Sequence, residues 1–458
     1  MSIVQNYIDE NIKTFEEELF QLLRIPSIST DSKHKEDVKK AALFLVDQLN
    51  AIGLDKVTMH DTPGHPIITA ERCPHNDKPT VLIYGHYDVQ PSDPDELWKT
   101  PPFEPTVKDG RVYARGASDD KGQSFTHIKS VQAYMKTGTE LPVNIKFILE
   151  GEEEIGSANL IPFIKKNKEL LACDMVLISD TAMFDEDQPS ITYGLRGLAY
   201  MEIHVTGPNR DLHSGIFGGA VENPANVLCE IIAALKDKEG VVQIPGFYDD
   251  VEPLTPEMRE AYSALPFDEE EYKRSLDLKA LHGEKGYSTL ERSSARPTLD
   301  VNGLWSGYQG EGAKTVLPAK AAAKVSMRLV PGQDPDKISK LFTDYVRSIA
   351  PDTVTVEVIA HHGGYPVVID LDFYGLKAAA KAFEDIYEKE VLFSREGGSI
   401  PIVSDFKKVL GVNSILMGFG ITRDALHSPN ESFSLKDFHR GIKTSARFFE
   451  VLSDFVDT

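Results

Sequence analysis

Two histidines and a set of carboxylates stand at the ends of short apolar runs along this chain. TVLIYG is followed by His86 and then Asp88, VNIKFILEG by Glu152, Glu153 and Glu154, MVLIS by Asp180, and SILMGFG, after a short loop, by His427. Imidazole nitrogens and carboxylate oxygens are the ligands that zinc, manganese and cobalt accept. A further carboxylate, Asp119 in RGASDDKG, precedes a helical pattern and would lie near that helix's start, where the helix dipole favours negative charge. Taken singly, each has an ordinary explanation: Asp119 as a helix cap, Asp180 as a turn cap, the glutamate run as a solvated turn, His86 as a satisfied strand-end histidine. Taken together, that many acids in one cleft would repel one another strongly unless a cation sat among them. The conjunction points to metal-assisted chemistry.

The elements that must position these groups are legible from periodicity. Residues 35 to 52 read as a helix, and Val81 to Tyr84, Val143 to Leu149 and Met175 to Ile178 read as short, fully apolar strands. Helical patterns at Gly122 to Lys136 and Asn159 to Leu171 alternate with them, as in an α/β domain with a mostly buried sheet. Ligands of open α/β sheets bind at the carboxyl ends of the strands, so side chains far apart in sequence can converge there. From Ser190 to Thr206 the chain turns β-rich, a helix follows at Pro224 to Leu235, and an irregular Pro- and acid-containing stretch occupies about 244 to 290. Strands at Ala321 to Val330 and Thr353 to Ile359 flank a helix at Pro335 to Ile349, which reads as a separate α+β unit. After Gly363-Gly364 the first pattern resumes with a helix at Leu371 to Tyr387, the strand Ser414 to Gly418 and a terminal helix from Leu435. The layout is one discontinuous α/β domain, 1–196 and 365–458, interrupted by an inserted α+β domain, 197–364.

Composition agrees with a two-domain globular protein. The chain has 458 residues, more than one hydrophobic core comfortably serves, with 41% apolar and 26% charged residues. No apolar run approaches bilayer length, so no membrane partner is expected. The first segment, MSIVQNYIDENIKTFEEELFQLL, has acids among its apolar residues and reads as an amphipathic helix rather than a signal peptide. Cys73, Cys173 and Cys229 are scattered and odd in number, which argues against disulfides and fits a cytoplasmic location. A net charge of −22 offers no footprint for nucleic acid.

GHYDVQP, RGASDDKG, LEGEEEIGS, ISD, ITYGLRG, DLHSG, KTVLP, MRLVP, REGGSIP and ALHSPNE occur in that order between residues 84 and 431. This series resembles that of the carnosinase-like dipeptidases, within the co-catalytic metallopeptidases that also include aminoacylases, carboxypeptidase G and acetylornithine deacetylase. The resemblance implies that the discontinuous domain is catalytic, that the inserted one, 197–364, is a lid and dimerisation domain, and that each subunit takes two divalent metal ions, zinc or manganese. His86 and Asp180 would hold one, Glu154 and His427 the other, and Asp119 would bridge both. Such a pair generates a bridging hydroxide near neutral pH. Asp88 would orient His86, and Glu153 would be the general base. Because Glu152 extends the run to three, the base and ligand read as Glu153 and Glu154 or as a pair displaced by one.

The same resemblance gives the substrate side. Arg328 would clamp a terminal carboxylate in bidentate fashion, and Thr315 and Ser399, in the Gly397-Gly398-Ser399 turn, would touch the substrate. His213 would reach the active site of a partner subunit in a homodimer and hold the oxyanion. The expected activity is hydrolysis of dipeptides. The alternative, on the same metal apparatus, is a deacylase of N-acyl amino acids, and a third reading is a non-catalytic metal-binding protein. Retention of Glu153 speaks against the third, since binding alone needs no base.

Overall fold

The computed structural model describes residues 2–361, 363–398 and 400–456. The chain divides into two compact units: the described residues of Met1–Tyr193, Ile369–Ser394 and Asp405–Thr458 form the first, and those of Gly194–Val368 and Arg395–Ser404 the second.

The first unit is built on a mixed sheet. From one edge its strands run Asp55–His60, Ile67–Arg72, Asn144–Glu150, Thr80–His86, Met175–Ile178, Asn413–Leu416 and Ser190–Leu195. The apolar runs of Asn144–Glu150, Thr80–His86, Met175–Ile178 and Asn413–Leu416 pair in parallel, with His86 opposite Glu150 and Ile178 opposite both Tyr84 and Leu416. Four carboxyl ends therefore lie side by side at one edge. These strands are buried on both faces, which is why they read as continuous hydrophobic runs. Helices Ile3–Leu23, Lys35–Ile52, Lys121–Thr137, Tyr374–Tyr387 and Leu435–Val456 supply the rest of one hydrophobic core, including Leu19, Leu45, Phe125, Phe383 and Phe449. Lys35–Ile52 stops at Gly53, whose φ of 89° a residue with a side chain would rarely adopt. Lys121–Thr137 is buried all round as far as Tyr134, so its polar residues must find internal partners. Lys121 donates to the carbonyls of Leu22 and Ile25, Gln123 accepts from the amides of Phe419 and Gly420, and His127 sits between Ser179 and Ser445.

In the second unit, Thr298–Ser306, Lys320–Leu329, Gly197–Thr206 and Thr355–Ala360 form a four-stranded antiparallel sheet in that order. Strict alternation along Gly197–Thr206 turns Ala199, Met201, Ile203 and Val205 inward against Val227, Ile231, Ile338, Phe342 and Val346 of the helices Pro224–Leu235 and Pro335–Ile349. Both helices begin with a side-chain cap, Asn223 or Asp334, followed by proline at the first turn.

Three local readings change. The helix expected over Asn159 to Leu171 ends at Lys166, where Asn167 leaves the helical region. The stretch expected to be irregular contains short helices at Pro256–Ala264, Glu269–Ser275 and Thr289–Ser294, each started by a capping side chain, Thr255, Asp268 or Ser288. Strands Asp55–His60, Ile67–Arg72 and Thr298–Ser306 carry too many polar or exposed positions to stand out as apolar runs. Among the described residues no helix is long and apolar enough to cross a membrane.

Candidate metal centre

His86 is the last residue of its strand and wholly buried. Its Nδ1 lies 3.2 Å from the carbonyl oxygen of Asp88 and 3.4 Å from that residue's Oδ1, so the ring donates there and turns the Nε2 lone pair inward. Nε2 lies 3.2 Å from Asp119 Oδ1 and 4.0 Å from Asp180 Oδ2, yet it is a buried polar atom with no hydrogen-bond partner. An acceptor lone pair aimed at two carboxylates suits a cation placed between them. On the other side of Asp119, Oδ2 lies 2.8 Å from His427 Nε2, which is 3.4 Å from Glu154 Oε2. His427 takes a left-handed backbone with φ of 58°, uncommon for a residue with a side chain. Two groups thus offer ligand atoms within 4.8 Å of one another, His86 with Asp119 and Asp180, and Asp119 with Glu154 and His427, and Asp119 belongs to both. Its nitrogen and oxygen donors fit borderline divalent cations.

Asp119 does not cap the helix that follows. Asp120 occupies the cap position without a capping bond, and its Oδ2 accepts instead from the His86 amide at 3.2 Å. Of the three glutamates, Glu152 is engaged elsewhere, accepting from the His65 amide at 2.8 Å and from Asn159. The amides of Glu153 and Glu154 are held by Asp88, at 3.2 Å to Oδ1 and 3.1 Å to Oδ2. Asp88 therefore ties the histidine strand to the glutamate turn. Sequence reasoning missed Asp120 and also Gln90, whose amide donates to Glu154 Oε2 at 2.6 Å; neither carries a spacing signal of its own.

The electrostatics are those of crowded acids. Burial, and then the charge of Asp119, push Glu154 up to about 8 and Asp180 well above the usual carboxylate range. Burial raises Glu153 as well, with the charges of Asp119 and Asp88 adding to the rise and those of His86 and His427 opposing it. Burial alone would raise Asp119, but the neighbouring His427 and His86 imidazoles hold it below the usual range. Carboxylates this close ionise together only when positive charge lies among them.

The remaining candidates belong to the second unit. Leu212–His213 pairs with Val316–Leu317, and the Ser214 amide donates to the Thr315 carbonyl at 3.1 Å, so His213 and Thr315 are neighbours. His213 Nδ1 accepts from the Gly215 amide at 3.0 Å, which leaves the neutral ring's proton on Nε2, and the side chain is exposed. Arg328 lies between Leu198 and Thr298 on adjacent strands. It stands close enough to Arg196 that, after burial, its charge helps lower Arg196 to about 10. Arg196 in turn donates to the Gly397 carbonyl at 3.0 Å, and a Cβ on Gly397 would meet the Ser293 carbonyl oxygen at 2.1 Å. Ser399 lies outside the described residues.

A family model described as Peptidase family M20/M25/M40 matches residues 82–451. A Cys-Gly metallodipeptidase from Candida albicans is 36% identical over 459 residues, covering 95% of this chain and 94% of that protein. The human Beta-Ala-His dipeptidase is 32% identical over 445 residues, covering 96% and 86%. Among solved structures, the di-peptidase Dug1p from Saccharomyces cerevisiae superposes with a TM-score of 0.86 at 33% identity, covering 99% of this chain and 98% of that one. Human carnosine dipeptidase 1 superposes with a TM-score of 0.86 at 31% identity, covering 98% of each chain.

Proposed function

This chain belongs to peptidase family M20/M25/M40, and from that membership we propose that it is a dipeptidase whose centre takes two divalent cations, zinc or manganese. His86 and Asp180 hold one ion, Glu154 and His427 the other, and Asp119 serves both. The observation that carries this reading is the sharing of Asp119 between two ligand groups. When bound, such ions polarise the scissile carbonyl and lower the pKa of water. Glu153, held by its amide on Asp88, takes the proton from the attacking water and passes it to the leaving amine. Asp88 fixes the His86 tautomer. Arg328 clamps the terminal carboxylate of the peptide, and Thr315 and Ser399 take part in binding the substrate. The second unit acts as lid and dimer contact in a cytoplasmic homodimer. There His213, with its Nε2 proton free to donate, serves the oxyanion in the partner's site. The relatives are dipeptidases by name, which does not favour the N-acyl amino acid alternative.

Purified protein stripped of metal and reloaded separately with zinc and manganese should bind two ions per chain and cleave dipeptides in preference to N-acyl amino acids. One ion per chain with full activity would rule out the shared centre, and a preference for N-acyl substrates would rule out the dipeptidase.

A further inference from the structure

Asp119 and His427 lie far apart in sequence, and their 2.8 Å approach depends on how two loops are fastened together. Two buried carboxylates do the fastening, one on each side of His427. Before it, Asp424 accepts from Ser118 Oγ at 3.0 Å and from the Ile421 amide at 2.8 Å, and pairs with Arg111. After it comes Glu431, wholly buried, and its four acceptor positions are all used. Oε2 accepts from the Gly116 amide and from Arg115 Nη1, each at 2.9 Å. Oε1 accepts from the amides of Ser118 at 2.9 Å and Asp119 at 3.1 Å. The Glu431 carbonyl also takes the Ala114 amide at 3.1 Å. Arg115 is fixed in turn by the Pro91 carbonyl at 3.0 Å and by the Trp98 ring beneath it.

Loop 116–119 is therefore threaded over one carboxylate, and the last amide on it belongs to the aspartate shared by both ligand groups. We propose that Glu431 is a positioning residue of the metal centre: by holding the Asp119 amide it sets the Asp119 carboxylate against His427 and His86. The proposal rests on the two-cation reading given above. Glu431 sits behind the centre and acts through the backbone of Asp119. A carboxylate is required because one side chain must accept from three amides and a guanidinium. A glutamine in its place would turn an NH2 group toward one of those donor pairs and force the loop to move.

Because Glu431→Gln alone leaves the Arg115 guanidinium buried without its partner and can unfold the protein, the decisive variant is Arg115→Met/Glu431→Gln, which removes both charges. Metal-free wild type and both variants are titrated with Mn²⁺ alone by calorimetry and with Co²⁺ alone by visible absorption, and their melting is recorded without metal. Wild type should bind two ions. The double variant should fold, bind both ions about 10–100-fold more weakly, and give an altered Co²⁺ spectrum, the cost typical of losing a partner that orients a ligand. A purely structural brace would lower the melting temperature and leave affinity and spectrum alone, so that pattern overturns the proposal. So does a double variant that cannot fold, which assigns Glu431 to the fold itself. Wild type binding fewer than two ions would instead overturn the two-cation reading, and this proposal with it.

Discussion

Replacing Asp88 by asparagine tests whether the residue that orients His86 also sets the glutamate turn. The Asp88 carboxylate is wholly buried and faces three donors: the amides of Glu153 at 3.2 Å and Glu154 at 3.1 Å, and His86 Nδ1 at 3.4 Å. Asparagine keeps the shape but has one acceptor oxygen and an NH2 group, so at least one donor ends up facing a donor. A buried donor left without a partner costs about 1–3 kcal/mol, and at about 1.4 kcal/mol per tenfold this is roughly 5–150-fold in an equilibrium constant. The loss usually seen when a ligand-orienting partner is removed, about 10–100-fold, falls inside that range. Asp88→Asn should therefore bind Mn²⁺ or Zn²⁺ about 10–100-fold more weakly in a titration of the metal-free protein. Turnover of a dipeptide should stay below wild type even at saturating metal, because in either orientation of the asparagine amide one anchor of the glutamate turn, at the Glu153 or the Glu154 amide, is lost. Recovery of full turnover at high metal would confine Asp88 to the histidine. Wild-type affinity together with wild-type turnover would refute the whole line of reasoning.

Glu153→Gln should lower turnover by about 10²–10⁴ while retaining both ions, whereas Glu154→Gln should lose metal by elemental analysis; exchanged phenotypes would move the base by one residue. For His213, mixing His213→Ala with Glu153→Gln subunits should restore activity approaching half of wild type per heterodimer. A mixture as inactive as its parents, with subunit exchange confirmed by mass spectrometry, would place His213 in its own chain's site. Away from the centre, burial raises Asp437 to about 7, and its Oδ2 is buried with no hydrogen-bond partner. Its folded pKa thus exceeds the unfolded one, so its stabilising effect is complete below about pH 4 and is lost as pH rises through about 7. Asp437→Asn should remove that slope, and its melting temperature should gain on wild type between pH 4 and 7 and hold the gain above; a gap that shrinks over that window would contradict the sign.

Local pattern carried much of this protein. Fully apolar strands announce themselves because burial on both faces removes polar residues, and the groups that follow such strands can be read directly after them. Strand ends become neighbours once the strands run parallel, so His86, the run Glu152 to Glu154, Asp180 and His427 could be singled out from one dimension. The helices at 35–52, 224–235 and 335–349 were legible for the same reason, since periodicity is a local property. Other features depend on partners that only folding brings together. Spacing to the flanking glycines favours Glu153 and Glu154 but leaves a shift of one open, and it does not show that His65 and Asn159 claim the Glu152 carboxylate. Lys121, Gln123 and His127 carry polar side chains that a surface helix would turn to water, and only packing against Leu22, Phe419, Ser179 and Ser445 makes them interior residues. Glu431 has no periodicity or spacing to mark it, because its role consists of hydrogen bonds to a loop that only tertiary folding brings alongside. A buried polar group is defined by what satisfies it, and those partners are chosen in three dimensions.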